Sequence, residues 1–184
     1  MHLAILLAKA YNTHTKWEKA ERVVLNAFDR YFKRLGNDNY DIIKLMGILG
    51  STYDGQNRLV DAERIKYGVF MQHKKLKGLE DNDTLIAAAN LAVTYGLSGE
   101  FKLAHLWHSQ VLELRKRLNG EDHPFTIYVM ANLAVANDDL GYYEEGERMS
   151  LKVVEWRRRV LGDKHPETIA ALSNLASNYF RREE

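Results

Sequence analysis

The chain has no cysteine and only two prolines in 184 residues. The first absence removes disulfides, thiolate zinc sites and cysteine nucleophiles. The second leaves long stretches free to be helical, because both prolines, Pro124 and Pro166, directly follow a histidine. Net charge is also lacking. Against 26 basic residues stand 25 acidic ones, so no overall field draws the chain to nucleic acid or to an anionic membrane. No apolar run reaches the roughly 18 residues of a membrane span. The apolar start, Leu3 to Ala8, follows only Met1 and His2 and has neither the basic lead nor the cleavage site of a signal peptide, so it reads as part of a helix. No glycine-rich phosphate loop, Gly-x-Ser-x-Gly elbow or paired-carboxylate helix motif occurs. Nothing therefore argues for an enzyme or a cofactor, and an intracellular, cytoplasmic protein is expected.

What is present is a period. Sliding the sequence by 42 puts Gly162 on Gly120, His165-Pro166 on His123-Pro124, Thr168 on Thr126 and Asn174-Leu175-Ala176 on Asn132-Leu133-Ala134. The same step backwards superposes Gly78, Thr84, Asn90-Leu91-Ala92, Gly99 and Phe101, then Gly36, Leu49, Tyr53 and Asp61-Ala62-Glu63. One more step reaches Leu7, Ala8, Tyr11, Trp17 and Ala20-Glu21. A fixed period of this size is the mark of a repeat array. The expected division is a partial repeat at 1–35, complete repeats at 36–77, 78–119 and 120–161, and a further partial repeat at 162–184, in one array without a second domain.

Each repeat has room for two helices. From Pro124 to Leu140 apolar residues recur at three and four, and Gly141 supplies the stop. Tyr143 to Leu161 carries a second pattern, and the two- or three-residue connector between them forces an antiparallel pair. Small residues are expected where the helices cross: Ala8, Gly50, Ala92, Ala134 and Ala176 on first helices, and Ala20, Ala62, Ala104 and Gly146 on second helices. Trp17, Leu59, Phe101 and Tyr143 form an apolar column expected in the core. The fold class is all-α, a right-handed solenoid of helix-turn-helix repeats.

The pattern His-Pro-x-Thr, Asn-Leu-Ala, Gly-x-Tyr/Phe and a basic run before Leu-Gly resembles the tetratricopeptide repeats of kinesin light chain, most clearly at His165–Tyr179 and His123–Ala134. It is also similar to the sensor regions of fungal and bacterial signalling ATPases of the nucleotide-oligomerisation type. Unit 36–77 departs most, with Asn39-Tyr40 for His-Pro and Ile48 for the asparagine. The resemblance implies that the asparagine column faces a groove for a cargo peptide.

That column, Asn90, Asn132 and Asn174, is the leading candidate site, because an amide offers a donor and an acceptor to an extended backbone. Around it on the first helices lie Lys44, Ile86 and Tyr128, then Val93 and Val135, then Asp139 and Arg181. The two-carboxylate clamp of chaperone-binding tetratricopeptide proteins is excluded, since Ile48, Tyr128 and Ala170 stand where its polar and basic residues belong. A second reading is a self-assembling array whose ends stack through Leu3 and Leu7 at one end and Leu172, Leu175 and Tyr179 at the other, giving a homo-oligomer. A third is the sensor of a larger signalling ATPase. In each case the expected partner is a protein or peptide, not nucleic acid or membrane.

Other clusters carry bland explanations. The basic runs at Arg30–Arg34, His73–Lys77, Arg115–Arg117 and Arg157–Arg159 close second helices, where they offset the helix dipole, and acidic loop residues follow at once. His105 and His108 have metal-ligand spacing but no third ligand, so no metal site is expected. His123 and His165 are expected to bond the loop backbone.

Overall fold

The computed structural model describes residues 1–183 and is helical throughout, with nine helices among the described residues. The first helices are α1 (His2–Thr13), α3 (Tyr40–Gly55), α5 (Asn82–Leu97), α7 (Pro124–Asp139) and α9 (Pro166–Glu183); the second helices are α2 (Trp17–Leu35), α4 (Leu59–Lys77), α6 (Phe101–Asn119) and α8 (Tyr143–Leu161). From α3 onward each first helix starts one full period before the next, and the second helices do so from α2 onward. The apolar start is helix α1, and no helix is long and apolar enough to cross a membrane.

Local chemistry sets the boundaries. Asn39 and Asp81 cap α3 and α5, each side chain accepting two backbone N–H groups. At α7 and α9 the same work falls to imidazole: His123 Nδ1 accepts from Phe125 N and His165 Nδ1 from Glu167 N, both at 3.2 Å, while proline fills the first helical position. The expected histidine bond to the backbone is observed, but it goes to the first turn of the helix that follows and not to the loop. Second helices end at Gly36, Gly78, Gly120 and Gly162, all at positive φ. Within the helix pairs the chain turns at Thr15, Asn57, Gly99 and Gly141, again all at positive φ, although two of these are not glycine.

The helices form two compact units, Met1–Ser98 and the residues from Gly99 onward. The division falls between the two helices of the expected repeat 78–119. In the first unit successive helices α1 to α5 pack in order, and α3 also touches α1 and α5. Its core joins Ile5, Ala8, Val24, Leu45, Leu49 and Ala62. In the second unit α6 to α9 pack in order, and α7 touches α9. Burying each large aliphatic side chain here stabilises the fold by about 1.5–3 kcal/mol.

The small columns sit where close crossing demands them: Ala8, Ala20, Ala62, Ala92, Ala104, Ala134 and Gly146 are all buried, and Gly50 with them. Ala176 is exposed. Trp17, Leu59, Phe101 and Tyr143 are only half-buried, which corrects the core assignment. Trp17 lies flat on α3, where a Cβ at Gly55 would meet its ring at 2.5 Å.

Candidate functional site

Of the predicted groove residues, the first unit brings together Lys44, Ile86 and Asn90 around one cavity of about 490 Å³. Its floor is α3, through Ile43, Gly47, Ile48 and Ser51; α1 contributes Lys9 and Asn12, and α5 contributes Asp83, Ile86, Ala87 and Asn90. Val93 lies half-buried one turn further along α5. The Asn90 side chain makes no hydrogen bond among the described residues, although its carbonyl oxygen accepts from Lys66 Nζ at 3.0 Å.

The unit expected to fit the pattern least thus supplies the floor of the cavity. Tyr40, which replaces proline, forms the rim: Lys44 Nζ lies 4.2 Å and Lys77 Nζ 4.7 Å from its ring centroid, and its hydroxyl donates to Asp83 at 3.2 Å. Lys77 also binds Asp83 at 2.5 Å. Burial works to raise the Asp83 carboxyl, but the bonds from Lys77 and Tyr40 hold it below its ordinary value. Asp83 thus stays ionised, with its charge balanced by Lys77. Lys9 and Lys44 have no carboxylate partner among the described residues, so the cavity edge carries uncompensated positive charge.

Beneath the cavity a buried polar group holds the wall helices. Lys66 reaches from α4 to the Asp54 carboxylate on α3, with which it forms a very short contact, and donates to Thr94 Oγ1 at 2.8 Å on α5. Thr94 in turn donates to Asp54 at 2.9 Å. Burial pulls the Lys66 ammonium below the usual lysine value, against the attraction of Asp54. The stem of Lys66 occupies the space left by Gly50, where a Cβ would approach it to 2.7 Å.

In the second unit, α7 presents Tyr128, Asn132, Val135 and Asp139, and α9 presents Asn174 and Arg181. Tyr128, Val135 and Asn174 are exposed, whereas Asn132 is half-buried and its Nδ2 is buried without a partner. Asp139 and Arg181 pair with each other at 2.8 Å. Below them Asn178 donates to Asp138 Oδ1 at 2.5 Å and to the Tyr143 carbonyl at 2.9 Å.

Among the expected stacking residues, Leu3 is 77% exposed and Leu7 is exposed on α1. On α9, Leu172 is half-buried and Leu175 is buried at 9% exposure, so Leu175 is a core residue of the second unit and has no surface to offer a partner. Tyr179 is exposed and donates to Glu147. The large exposed apolar side chains of α9 are Ile169, Tyr179 and Phe180.

The basic runs divide into buried and paired members. His73, Arg115 and Arg157 are buried; Arg157 donates to the Glu167 carbonyl at 2.9 Å, and Arg115 lies over the Phe125 ring. Lys75, Lys116, Arg158 and Arg159 each meet a loop carboxylate. His108 is buried, and burial, with His105 adding to it, pushes its imidazole down to about 4.

Residues that the sequence did not single out are Lys9, Gly47 and Lys66. Lys66 stands one period before His108, and a column of Val24, Lys66, His108 and Ser150 has no common chemistry to notice.

No curated protein matches the sequence. Residues 84–125 and 126–167 each match the model of the tetratricopeptide repeat. Among solved structures, a protein of Podosopora anserina described as a kinesin light chain with nearly identical TPR-like repeats superposes with a TM-score of 0.79 at 20% identity, over 99% of this chain and 86% of that one. A variant of that protein gives 0.80 at the same identity and coverage. BtubC (BKLC) from P. vanneervenii gives 0.77 at 20% identity, over 98% of this chain and 72% of its own. Residues 84–167 thus carry two tetratricopeptide repeats in tandem, and the chain has the all-α helical-repeat fold seen in these proteins.

Proposed function

We propose that this chain is a non-catalytic protein-interaction module that takes an extended peptide segment along its first helices. The observation that carries the reading is the open cavity of the first unit, where Lys44, Ile86 and the unbonded Asn90 amide converge. A peptide laid there finds apolar surface from Ile43 and Ile86, a donor and an acceptor from Asn90, and two cations, Lys9 and Lys44, for an acidic side chain. In the second unit Tyr128, Asn132, Val135 and Asn174 offer the same mixture; the Asp139–Arg181 pair would be broken only by a ligand that replaces both charges.

The test is selection from a displayed library of random linear peptides, followed by anisotropy titration of the enriched peptide. Asn90→Ala and Lys44→Ala should each weaken binding by about tenfold, the order of one lost hydrogen bond or ion contact, with helicity unchanged. Unchanged affinity in both variants would sink the groove reading.

The exposed apolar residues Leu3, Leu6, Ile169 and Phe180 favour a second reading, association of copies through α1 and α9. Light scattering across a concentration series reads it directly. A mass that grows with concentration in the native chain, and stays at 21.3 kDa in Leu3→Glu/Phe180→Glu, supports stacking; a constant native mass overturns it.

A further inference from the structure

The second helices recur at one interval, so each exposed position of α4 has three counterparts that serve as internal controls. At position 60 the counterparts are Glu18, Lys102 and Glu144, and at position 71 they are Asp29, Glu113 and Glu155, all of them exposed. On α4 both places are apolar: Val60 is 81% exposed and Met71 is 43% exposed. Tyr67 stands between them on the same stripe, also exposed, and Arg64 completes it with its guanidinium held by Asp61 at 2.6 Å. On α2 and α8 the middle of this stripe carries a lone leucine, Leu25 or Leu151, set between charges.

The same helix departs at position 68, where Asn26, Gln110 and Lys152 give way to Gly68. A glycine inside a helix costs stability. At Gly50, Gly55 and Gly146 the fold uses the missing side chain, because Lys66, Trp17 and Asp138 take the space, but a Cβ at Gly68 would meet nothing within 4 Å. What this glycine offers is bare helix backbone beside Tyr67 and Met71, open to close approach from outside.

We infer that the exposed face of α4 is a self-association surface, which pairs with α4 of a second copy in antiparallel order about a two-fold axis near Gly68. Charge selects the occupant and its direction. The helix begins with Asp61 and Glu63 and ends with Lys74 and Lys75, so antiparallel pairing sets the acidic start of each copy against the basic end of the other. Parallel pairing would set like on like. Within one chain Glu63 and Lys74 form no ion pair among the described residues, and Lys75 meets only the exposed Asp38, at 3.4 Å. Pairing centred at Gly68 lays Met71 of each copy along the aliphatic stem of the other copy's Arg64 and brings the two Tyr67 rings together. Because one patch serves both copies, the assembly closes at two. It involves neither the groove nor the faces of α1 and α9.

The experiment is sedimentation equilibrium of the full chain across a concentration series, since a single helix pair should dissociate at about 10–100 µM. The native mass should rise from 21.3 kDa and level at twice that value. Val60→Glu/Met71→Glu installs residues that the counterparts already carry, so the fold is kept. It should weaken dimerisation about a hundredfold, each change acting twice across the two-fold. Gly68→Gln, with the side chain of Gln110, should weaken it about tenfold while raising the melting midpoint of the monomer by about 1–3 °C. The chain has no cysteine, so a lone Gly68→Cys should be joined into covalent dimers by a short bismaleimide, whereas its counterpart Gln110→Cys should not. A native mass that stays at 21.3 kDa overturns the inference. Association that survives Val60→Glu/Met71→Glu overturns it too, and its loss in Leu3→Glu/Phe180→Glu would then assign it to α1 and α9.

Discussion

In the first unit the carboxylate near the end of α3, Asp54, faces a lysine; in the second unit its counterpart two periods on, Asp138, faces an amide. Both acids bridge to the next first helix, and both do so to a residue 40 positions later, Thr94 and Asn178. Asn12 and Thr52 make the same bridge at 3.0 Å. The difference lies in what neutralises the acid. Lys66 is a cation inserted from α4, and the space for its stem comes from a glycine on the first helix, Gly50. At Asp138 no cation enters: Ser150 stands in the place of Lys66, and the glycine has moved to the second helix, Gly146, where it makes room for the carboxylate itself. The location of the glycine tells which side chain crosses the interface. An ion pair is the stronger cross-link once formed, and the more damaging one to break.

The largest effect should come from breaking it by half. Lys66→Met leaves the half-buried Asp54 without a cation and should cost about 3 kcal/mol in urea denaturation, whereas Asp54→Leu/Lys66→Met should recover most of the loss. Recovery that fails would mean that the pair aligns α3 and α5 in a way apolar packing cannot replace.

Next is the glycine of the second unit. Gly146→Ala drives a methyl into the Asp138 carboxylate and should cost about 1–3 kcal/mol. In an Asp138→Ala background the same change should be nearly neutral, and a double-mutant cycle measures the coupling. Additive losses would show that the methyl is resisted by something other than Asp138.

A third comparison concerns the tight connectors. Thr15 and Asn57 hold φ of 54° and 59° in the first unit, where the second unit uses Gly99 and Gly141. Threonine is β-branched and pays most in this region, so Thr15→Gly should stabilise the chain by about 1 kcal/mol, with Asn57→Gly giving less. A thermal melt suffices to check the order.

The smallest effect is a slope with pH. Burial raises the Asp138 carboxyl above its ordinary value of 3.8, against the bond from Asn178. The native state therefore holds this proton more tightly than the unfolded chain does. The resulting stabilisation is complete below pH 3.8 and is lost as pH rises through the folded value. Asp138→Asn removes that loss, so its stability relative to the native chain should increase with pH across this window. A difference that stays flat would show that Asp138 titrates alike in both states.

These contrasts also mark what the residues alone reveal. Helix boundaries are legible because the signals that set them, Gly78, Gly120, Gly162 and the two His-Pro pairs, repeat at the period itself. The asparagine column is legible for the same reason. The bridges between first helices are not: they join residues 40 apart, two short of the period, and use three different pairs of side chains, so sliding by the period never aligns partner with partner. Lys66 is hidden because its column carries valine, lysine, histidine and serine. The cavity is hidden because unit 36–77 looks degenerate beside the others, yet the departures at Tyr40 and Ile48 build its rim and floor. Leu175 reads as a stacking surface from its apolar character alone, but its side chain turns into the core of its own unit.

The constancy of the connectors has an evolutionary consequence. Since α3 and α5 begin one period apart and both follow four-residue turns opened by a glycine, excising residues 40–81 would join α2 to α5 through an unchanged linker. Asn12 would then meet Thr94 in place of Thr52, one threonine for another. Gain or loss of one whole period is therefore the mutation this chain is built to survive, and a slip of any other length is the one that it is not.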